Sequence, residues 1–275
     1  VKTISRKKEN REELLLRVMH LQGHMTTEEA VQLMGVSQAT VRRMFLELEK
    51  SGKIIRNYGG AQMPGASDAY RFEQREKVFE NEKRRIGLTA ATLVSDRDTV
   101  YLDCGTTLFQ MAIALGERLR SGELSSLNVV TNSMANLQAL GNPGVGKIIL
   151  LGGEYHSDRR DFFGPITERY ADPFHFDKCF LGCEGVTIES GFSSNQTGLS
   201  SLNANILGRS ARRHVLFDAS KLGKGAFFSY APLDGVDEVV TDAPPREAIH
   251  SRFLAAGVAV RVAGAETEKK EGQSA

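Results

Sequence analysis

No stretch of the 275-residue sequence approaches the roughly 18 consecutive apolar residues that a membrane-spanning helix needs, so no membrane partner is expected. The opening VKTISRKKENREE is polar and lacks the apolar core of a secretory signal, which points to a cytoplasmic protein. Cysteine is scarce: Cys104, Cys179 and Cys183. So sparse and odd a set argues against a disulfide framework and for reduced, buried thiols. Cys179 and Cys183 have no second Cys or His pair beside them, and the six histidines are scattered, so no metal site is expected. There is no Walker lysine motif. The run GNPGVG at 141–146 lacks the G-x-G-x-x-G order and precedes a strand, so it reads as a turn, and no cofactor is expected. Tryptophan, low-complexity tracts and internal repeats are absent as well.

What is present is the composition of an ordinary globular protein with unevenly placed charge. The formal net charge is only +1, yet residues 1–60 carry 11 Lys and Arg against 7 Asp and Glu, and the rest 24 against 27. A basic amino-terminal segment on a mildly acidic body suits a nucleic-acid-binding head.

The apolar periodicity of the first 62 residues predicts three helices and a wing. Leu14, Leu15, Val18 and Leu21 form the stripe of the first. Thr26 with Glu29 makes a capping box for a second, whose inner face is Ala30, Leu33 and Met34 and which Gly35 closes. Ser37 caps a third with Val41, Phe45 and Leu48 inward, and KIIRNYGG reads as a strand entering a glycine turn. That is a winged helix-turn-helix, spanning 1–62. Its third helix offers Ser37, Gln38, Ala39, Thr40, Arg42 and Arg43 to the major groove of double-stranded operator DNA, where arginine reads guanine. Arg56 and Tyr58 of the wing are candidates for minor-groove or phosphate contact. Two arginines on a helix also suit a plain solvated face; the capped helices and the glycine wing around them favour DNA.

Residues 63–85 read as a linker, helical in YRFEQREKVFENEKRR, whose charges are taken as a solvated face. Beyond it, TVYLD, NVVTN, KIILLGG, KCFLG, HVLFD, EVVTD and VAVRV alternate with helical segments such as 108–119. Short Val/Ile/Leu-rich runs between helices predict a mainly parallel sheet covered on both faces, an α/β domain over 86–265 with a disordered tail at 266–275.

GVSQATVRRMFLELEKSGKIIRNYGGA resembles the amino-terminal signature of the DeoR family of bacterial transcription regulators, V-S-x-x-T-[IV]-R-R-D-L-x-x-L-E-x-x-G ending H-G-G-A. Tyr58 stands where His is usual, and Met44 and Phe45 replace Asp-Leu. Met44 thereby removes an acid able to orient the arginines, so Met44→Asp is expected to change operator preference with the fold intact. TVYLDCGTT, LNVVTNS, ILLGG, FFGP, FDKCFLGCEGV and FDASKLG follow in the family's order, so the resemblance covers most of 8–245. It implies an α+β winged helix-turn-helix head joined to an α/β sensor domain resembling ribose-5-phosphate isomerase, a phosphorylated sugar-type effector, a homo-oligomer (dimer or tetramer) and repression of a sugar or carbon-source operon.

The residues of those blocks agree physically. Strand carboxyl ends are where open α/β sheets bind ligands. Gly105 lets backbone N–H groups approach a phosphate, and Thr106 and Thr107 add hydroxyls at a helix start. Asp103 and Asn132 sit at strand ends facing sugar hydroxyls, Gly152 and Gly153 leave room, and Lys221 offers a point charge. Helix capping for Thr106, Thr107 and Asn132, and a surface salt bridge for Lys221, are the plainer readings. Where the family has an acid and a lysine, 195–208 holds neither; Gln196, Ser201 and Asn203 stand there instead. The competing reading is a phosphosugar isomerase with an accessory helical domain. It needs a general base; Asp103 is conceivable, but 195–208 supplies no carboxylate and Glu184 has no evident partner, so an enzyme is not expected and no catalytic residue is assigned.

Overall fold

The computed structural model describes residues 12–19, 24–57, 60–62, 71–141 and 146–264. The chain divides into two compact units between Arg71 and Phe72.

In the first unit, helix α1 covers 12–19. Strand β1 (His24–Thr26) leads into α2 (Thr27–Met34), then α3 (Gln38–Lys50), β2 (Ile55–Asn57) and β3 (Gly60–Gln62). Thr26 and Glu29 form the reciprocal capping box, and Gly35 closes α2 in the left-handed conformation at φ 61°. Ser37 caps α3 through its side chain. The wing is broader than a hairpin: β1 pairs antiparallel with β3, giving a three-stranded sheet in the order β1-β3-β2. Three residues are too short a run for alternation to reveal β1. Leu15, Met19, Ala30, Met34, Val41, Phe45 and Leu48 form the core, joined by Met44, which is only 5% exposed. Met44 is therefore an inward residue three positions after Val41 and not a neighbour on the arginine face. Leu14 and Leu33, expected inside, are exposed, being displaced from the stripe that Leu15 and Met34 occupy. Leu21 lies outside the described residues.

The second unit opens with α4 (Phe72–Lys77) and α5 (Glu80–Ala91), within the span expected to be a linker. Phe72, Lys83, Ile86, Ala90 and Ala91 are buried, so these helices pack into the unit. Then come β4 (Thr99–Leu102), α6 (Thr106–Arg120), β5 (Asn128–Thr131), α7 (Met134–Leu140) and β6 (Lys147–Leu150). A small hairpin, β7 (Tyr155–His156) and β8 (Asp161–Phe162), precedes α8 (Pro165–Ala171) and β9 (Phe176–Gly182). Strands β10 (Gly185–Thr187) and β11 (Gly191–Ser194), helix α9 (Thr197–Leu207), β12 (Ser210–Leu216), β13 (Phe228–Ala231), β14 (Glu238–Thr241), α10 (Glu247–Ala255) and β15 (Ala259–Val262) complete it.

The seven apolar runs read from the sequence make one seven-stranded parallel sheet, ordered β15-β14-β12-β9-β4-β5-β6. Alternate residues feed opposite faces: Tyr101, Cys179, Leu181, Val215 and Val239 enter one core, and Val100, Leu102, Phe180, Leu216 and Val240 the other. Leu108, Ala112, Leu115 and Leu119 of α6 point inward as their spacing implies. β10, β11 and β13 form a separate antiparallel sheet.

The chain enters the main sheet at β4, builds outward through β5 and β6, then returns to the other side of β4 with β9. The order reverses between β4 and β9. In an open parallel sheet such a reversal leaves a crevice at the strands' carboxyl ends, because the flanking connections depart in opposite directions.

Candidate functional site

On the head, Ser37 Oγ accepts from the Thr40 N–H at 3.3 Å and lies 2.9 Å from the Thr40 hydroxyl. These two side chains thus hold the start of α3. Gln38, Ala39, Arg42 and Arg43 are exposed on the face opposite Val41, Phe45 and Leu48. Arg42 and Arg43 make no ion pair with the described residues, so their guanidinium groups are available to an anionic partner. Arg56 differs: its N–H donates to Glu49 Oε1 at 3.1 Å and its guanidinium lies 3.7 Å from Glu49 Oε2. Exposed pairs of this kind contribute about 0–1 kcal/mol, so a phosphate can displace Glu49. Tyr58 lies outside the described residues.

In the second unit, the register places the other candidates in a row along the carboxyl edge. Lys221 follows β12, Cys183 and Glu184 follow β9, Asp103–Thr107 follow β4, Asn132 follows β5, and Gly152–Gly153 follow β6. The β4 and β9 members border the reversal point.

Asp103 is 1% exposed. Its Oδ1 accepts from the Cys104 N–H at 2.8 Å, and its Oδ2 from the Gly182 N–H at 3.0 Å and from Asn203 Nδ2 at 3.1 Å. Burial pushes its pKa up to about 6, against those hydrogen bonds. Both oxygens accept from donors within the protein, so Asp103 ties β4, β9 and α9 together. Asn203 is the buried α9 residue that reaches it, in the stretch with neither acid nor lysine.

Gly105 has φ 98°, a conformation that side-chain-bearing residues avoid. It is the N-cap of α6, where no side chain caps the helix. The free amides of the first turn and the helix dipole make this end electropositive. Thr106 is buried and Thr107 half-buried beside it, and neither acts as a cap. Asn132 does not cap either: Ser133 performs that role for α7. Asn132 is fully buried, donates to the Phe162 carbonyl at 3.0 Å and leaves its own Oδ1 without a partner. Gly153, at φ 144°, would place a Cβ 2.2 Å from Thr167 Oγ1; its space is filled by α8 and not open to a ligand. Gly152 does face open space.

Lys221 ends a 3-10 turn, Ala219–Lys221, capped by Asp218. It is half-exposed and has no ion-pair partner among the described residues. The Cys183 thiol nearby is raised by burial, with Lys221 opposing.

Several groups at this edge escape a reading of the sequence. Arg159 is buried, donates to Asp161 Oδ2 at 3.1 Å and lies 3.5 Å from Glu184 Oε1, so Glu184 has a partner after all. Glu184 Oε2 accepts from both the backbone and the side chain of Asn195. Asn136 donates to the Asp103 carbonyl at 2.8 Å. These residues are far apart in sequence and meet only through tertiary folding. Lys83 belongs to the charges expected on a solvated face, yet it is 6% exposed. Burial lowers its pKa to about 8, with Asp218 opposing and Lys221 adding to the shift. Its position four before Gly87, on the inward stripe with Ile86 and Ala90, is the available signal.

Among the described residues, no three His, Cys, Asp or Glu side chains gather in a way that could hold a metal ion, and no helix is long and apolar enough to cross a membrane.

Comparison with known proteins adds the following. Residues 11–66 match the DeoR-like helix-turn-helix domain and residues 79–243 the DeoR C terminal sensor domain. The HTH-type transcriptional repressor GlcR of Bacillus subtilis is 31% identical over 250 residues, 90% of this chain and 92% of that protein. The glycerol-3-phosphate regulon repressor of Escherichia coli is 30% identical over 231 residues, 84% and 89% of the two chains. Among solved structures, ribose 5-phosphate isomerase A of Methanocaldococcus jannaschii superposes with a TM-score of 0.39 at 20% identity, over 52% of this chain and 55% of that one.

Proposed function

The chain belongs to the DeoR family of helix-turn-helix transcriptional regulators, and from that premise we propose that it represses a sugar or carbon-source operon in the cytoplasm until a phosphorylated sugar-type metabolite binds its second unit. The relatives named as repressors, one of them of a glycerol-3-phosphate regulon, support this reading. The observation that carries the sensing half is the uncapped start of α6, placed at the point where the sheet order reverses. A phosphate there meets first-turn amides and the dipole, which is the arrangement helix N-termini use for anions. We assign effector contact to Gly105, Thr106, Thr107 and Lys221, with Asn132 Oδ1 an acceptor for a hydroxyl and Gly152 beside it; Asp103 and Gly153 hold the frame.

DNA contact is assigned to Gln38, Ala39, Arg42 and Arg43, with Ser37 and Thr40 setting the first turn of α3 and Arg56 on phosphate. Two copies of the chain reading two half-sites account for operator recognition in the usual manner of such heads. Catalysis is not part of the proposal: Asp103, the conceivable base, has both oxygens bound within the protein and is sealed from solvent.

The test is a gel shift with upstream DNA of the chain's own operon, with and without a panel of sugar phosphates. Release by one phosphorylated compound, and none by its unphosphorylated parent, is expected. Equal release by both would overturn the anion site. A coupled isomerase assay on ribose 5-phosphate should show no turnover.

A further inference from the structure

Lys83 is the one buried lysine among the described residues. A lysine taken out of water needs a partner, because burial disfavours its charged form. The partner here is modest: Nζ donates to the Arg75 carbonyl at 2.5 Å. That carbonyl belongs to the last turn of α4 and also accepts from the Val78 N–H at 3.3 Å. It therefore keeps one hydrogen bond if the lysine leaves.

The packing of α5 on α6 places Lys83 beside the effector edge. A Cβ on Gly87 would lie 2.6 Å from the backbone at Gln110 and Met111. Further along both helices, the Arg118 guanidinium donates to the carbonyls of Ala91 and Val94. Position advances in the same direction on each helix, so α5 and α6 run parallel. One turn before Gly87 is Lys83, and one turn before Gln110–Met111 is Thr106–Thr107. Lys83 thus stands alongside the uncapped first turn of α6. The charged groups around it are Asp218, Lys221, Arg75 and Glu76, two of which come from the turn after β12.

The other end of α4 touches the same edge. The Phe72 N–H donates to the Asp158 carbonyl at 2.8 Å. Its ring packs edge-on against Phe109, with centroids 5.4 Å apart, and the Arg160 guanidinium lies 5.3 Å from its centre. Phe109 is in the first turn of α6, donating to the Gly105 carbonyl at 3.0 Å. The first element after Arg71 is therefore tied at both ends to elements that border the effector edge.

We propose that Lys83 is a switchable anion ligand: without effector it holds the Arg75 carbonyl, and a phosphate group on the first turn of α6 takes it over together with Lys221, freeing the carboxyl end of α4. This rests on the effector site proposed above. The exchange runs in the right direction, because an ammonium on a phosphate gains the attraction of opposite charges, which a neutral carbonyl does not supply. Occupancy then changes what restrains the segment leading from Arg71, which gives the effector a differential hold on two states, as allosteric release requires.

The test is calorimetric titration of the full chain with glycerol 3-phosphate and with inorganic phosphate at pH 8.5, in buffers of different ionisation enthalpy. A phosphate monoester, with its second pKa at about 6, is already fully ionised there. Uptake of about three-quarters of a proton per glycerol 3-phosphate is expected, the neutral fraction at pH 8.5 of a group with pKa about 8. Lys83→Met should abolish the uptake and weaken binding at least tenfold, on the order of one lost charge-assisted contact. Binding by Lys83→Met at wild-type strength, or wild-type binding without proton uptake, overturns the role of Lys83 and leaves the effector site standing. Failure of the wild-type chain to bind either probe overturns the effector site itself, and the proposal with it. Should Lys83→Met not fold, hydrogen exchange on the wild-type chain decides: amides of 75–79 should exchange faster with glycerol 3-phosphate bound, and unchanged or slower exchange refutes the release of α4.

Discussion

Met44→Asp separates two views of the arginine helix. If position 44 lay beside Arg42 and Arg43, an acid there would orient them and the fold would hold. Met44 is instead 5% exposed, packed in the core with Leu15, Met19, Val41 and Leu48. Removing its side chain from that core forfeits roughly 1.5–3 kcal/mol of apolar burial. The new carboxylate has no rescuer: the buried polar residue among the described residues of this unit is Thr27, and no buried cation accompanies it. The acid must then protonate. Keeping it neutral at pH 7, against an ordinary carboxylate pKa near 4, costs about 4 kcal/mol at roughly 1.4 kcal/mol per pH unit. The sum, roughly 5–7 kcal/mol, rivals the whole stability expected of a head of this size, at about 0.05–0.15 kcal/mol per residue. Differential scanning calorimetry of the full chain should show the head's transition lost or lowered by well over 15 °C, since about 1 kcal/mol moves a domain of this size by 4–8 °C. Met44→Leu, which nearly conserves volume, should cost less than about 1.5 kcal/mol. A Met44→Asp chain that melts like wild type while its operator preference changes would refute the burial argument and restore the orienting role of the acid.

Other outcomes follow from the same geometry. Arg42→Ala and Arg43→Ala, both exposed, should leave melting unchanged and weaken operator binding by about 1–3 kcal/mol each in a fluorescence titration; an unaltered affinity removes α3 from the groove. Asp103 titrates at about 6 when folded, above the ordinary carboxylate, so the native state holds its proton longer than the unfolded state does. Its contribution is therefore present below pH 4 and lost as pH rises through 6, amounting to about 3 kcal/mol. Urea denaturation across that range should show the slope in the wild type and not in Asp103→Asn. Gly105→Ala, strained at φ 98° at the start of α6, should abolish phosphate-ester binding, as read by thermal shift.

The sequence alone determined the architecture, because periodicity is a local signal. Each of the seven apolar runs became a strand of one parallel sheet, and the Thr26 box and Ser37 cap stand where their residue types put them. The placement of Asp103–Thr107 and Asn132 at strand ends was legible for the same reason, as was the exposed face of Arg42 and Arg43. Tertiary structure alone decided what those groups face. Met44 turned inward because it shares a helical stripe with Val41, which a signature comparison overlooks. Asp103 is tied into the frame because Gly182, 79 positions away, and Asn203, 100 away, donate to it. Lys83, one charge among many in its segment, became a buried lysine beside the first turn of α6 because α5 packs parallel to that helix. Burial and partnership depend on contacts distant in sequence, and no local pattern encodes them.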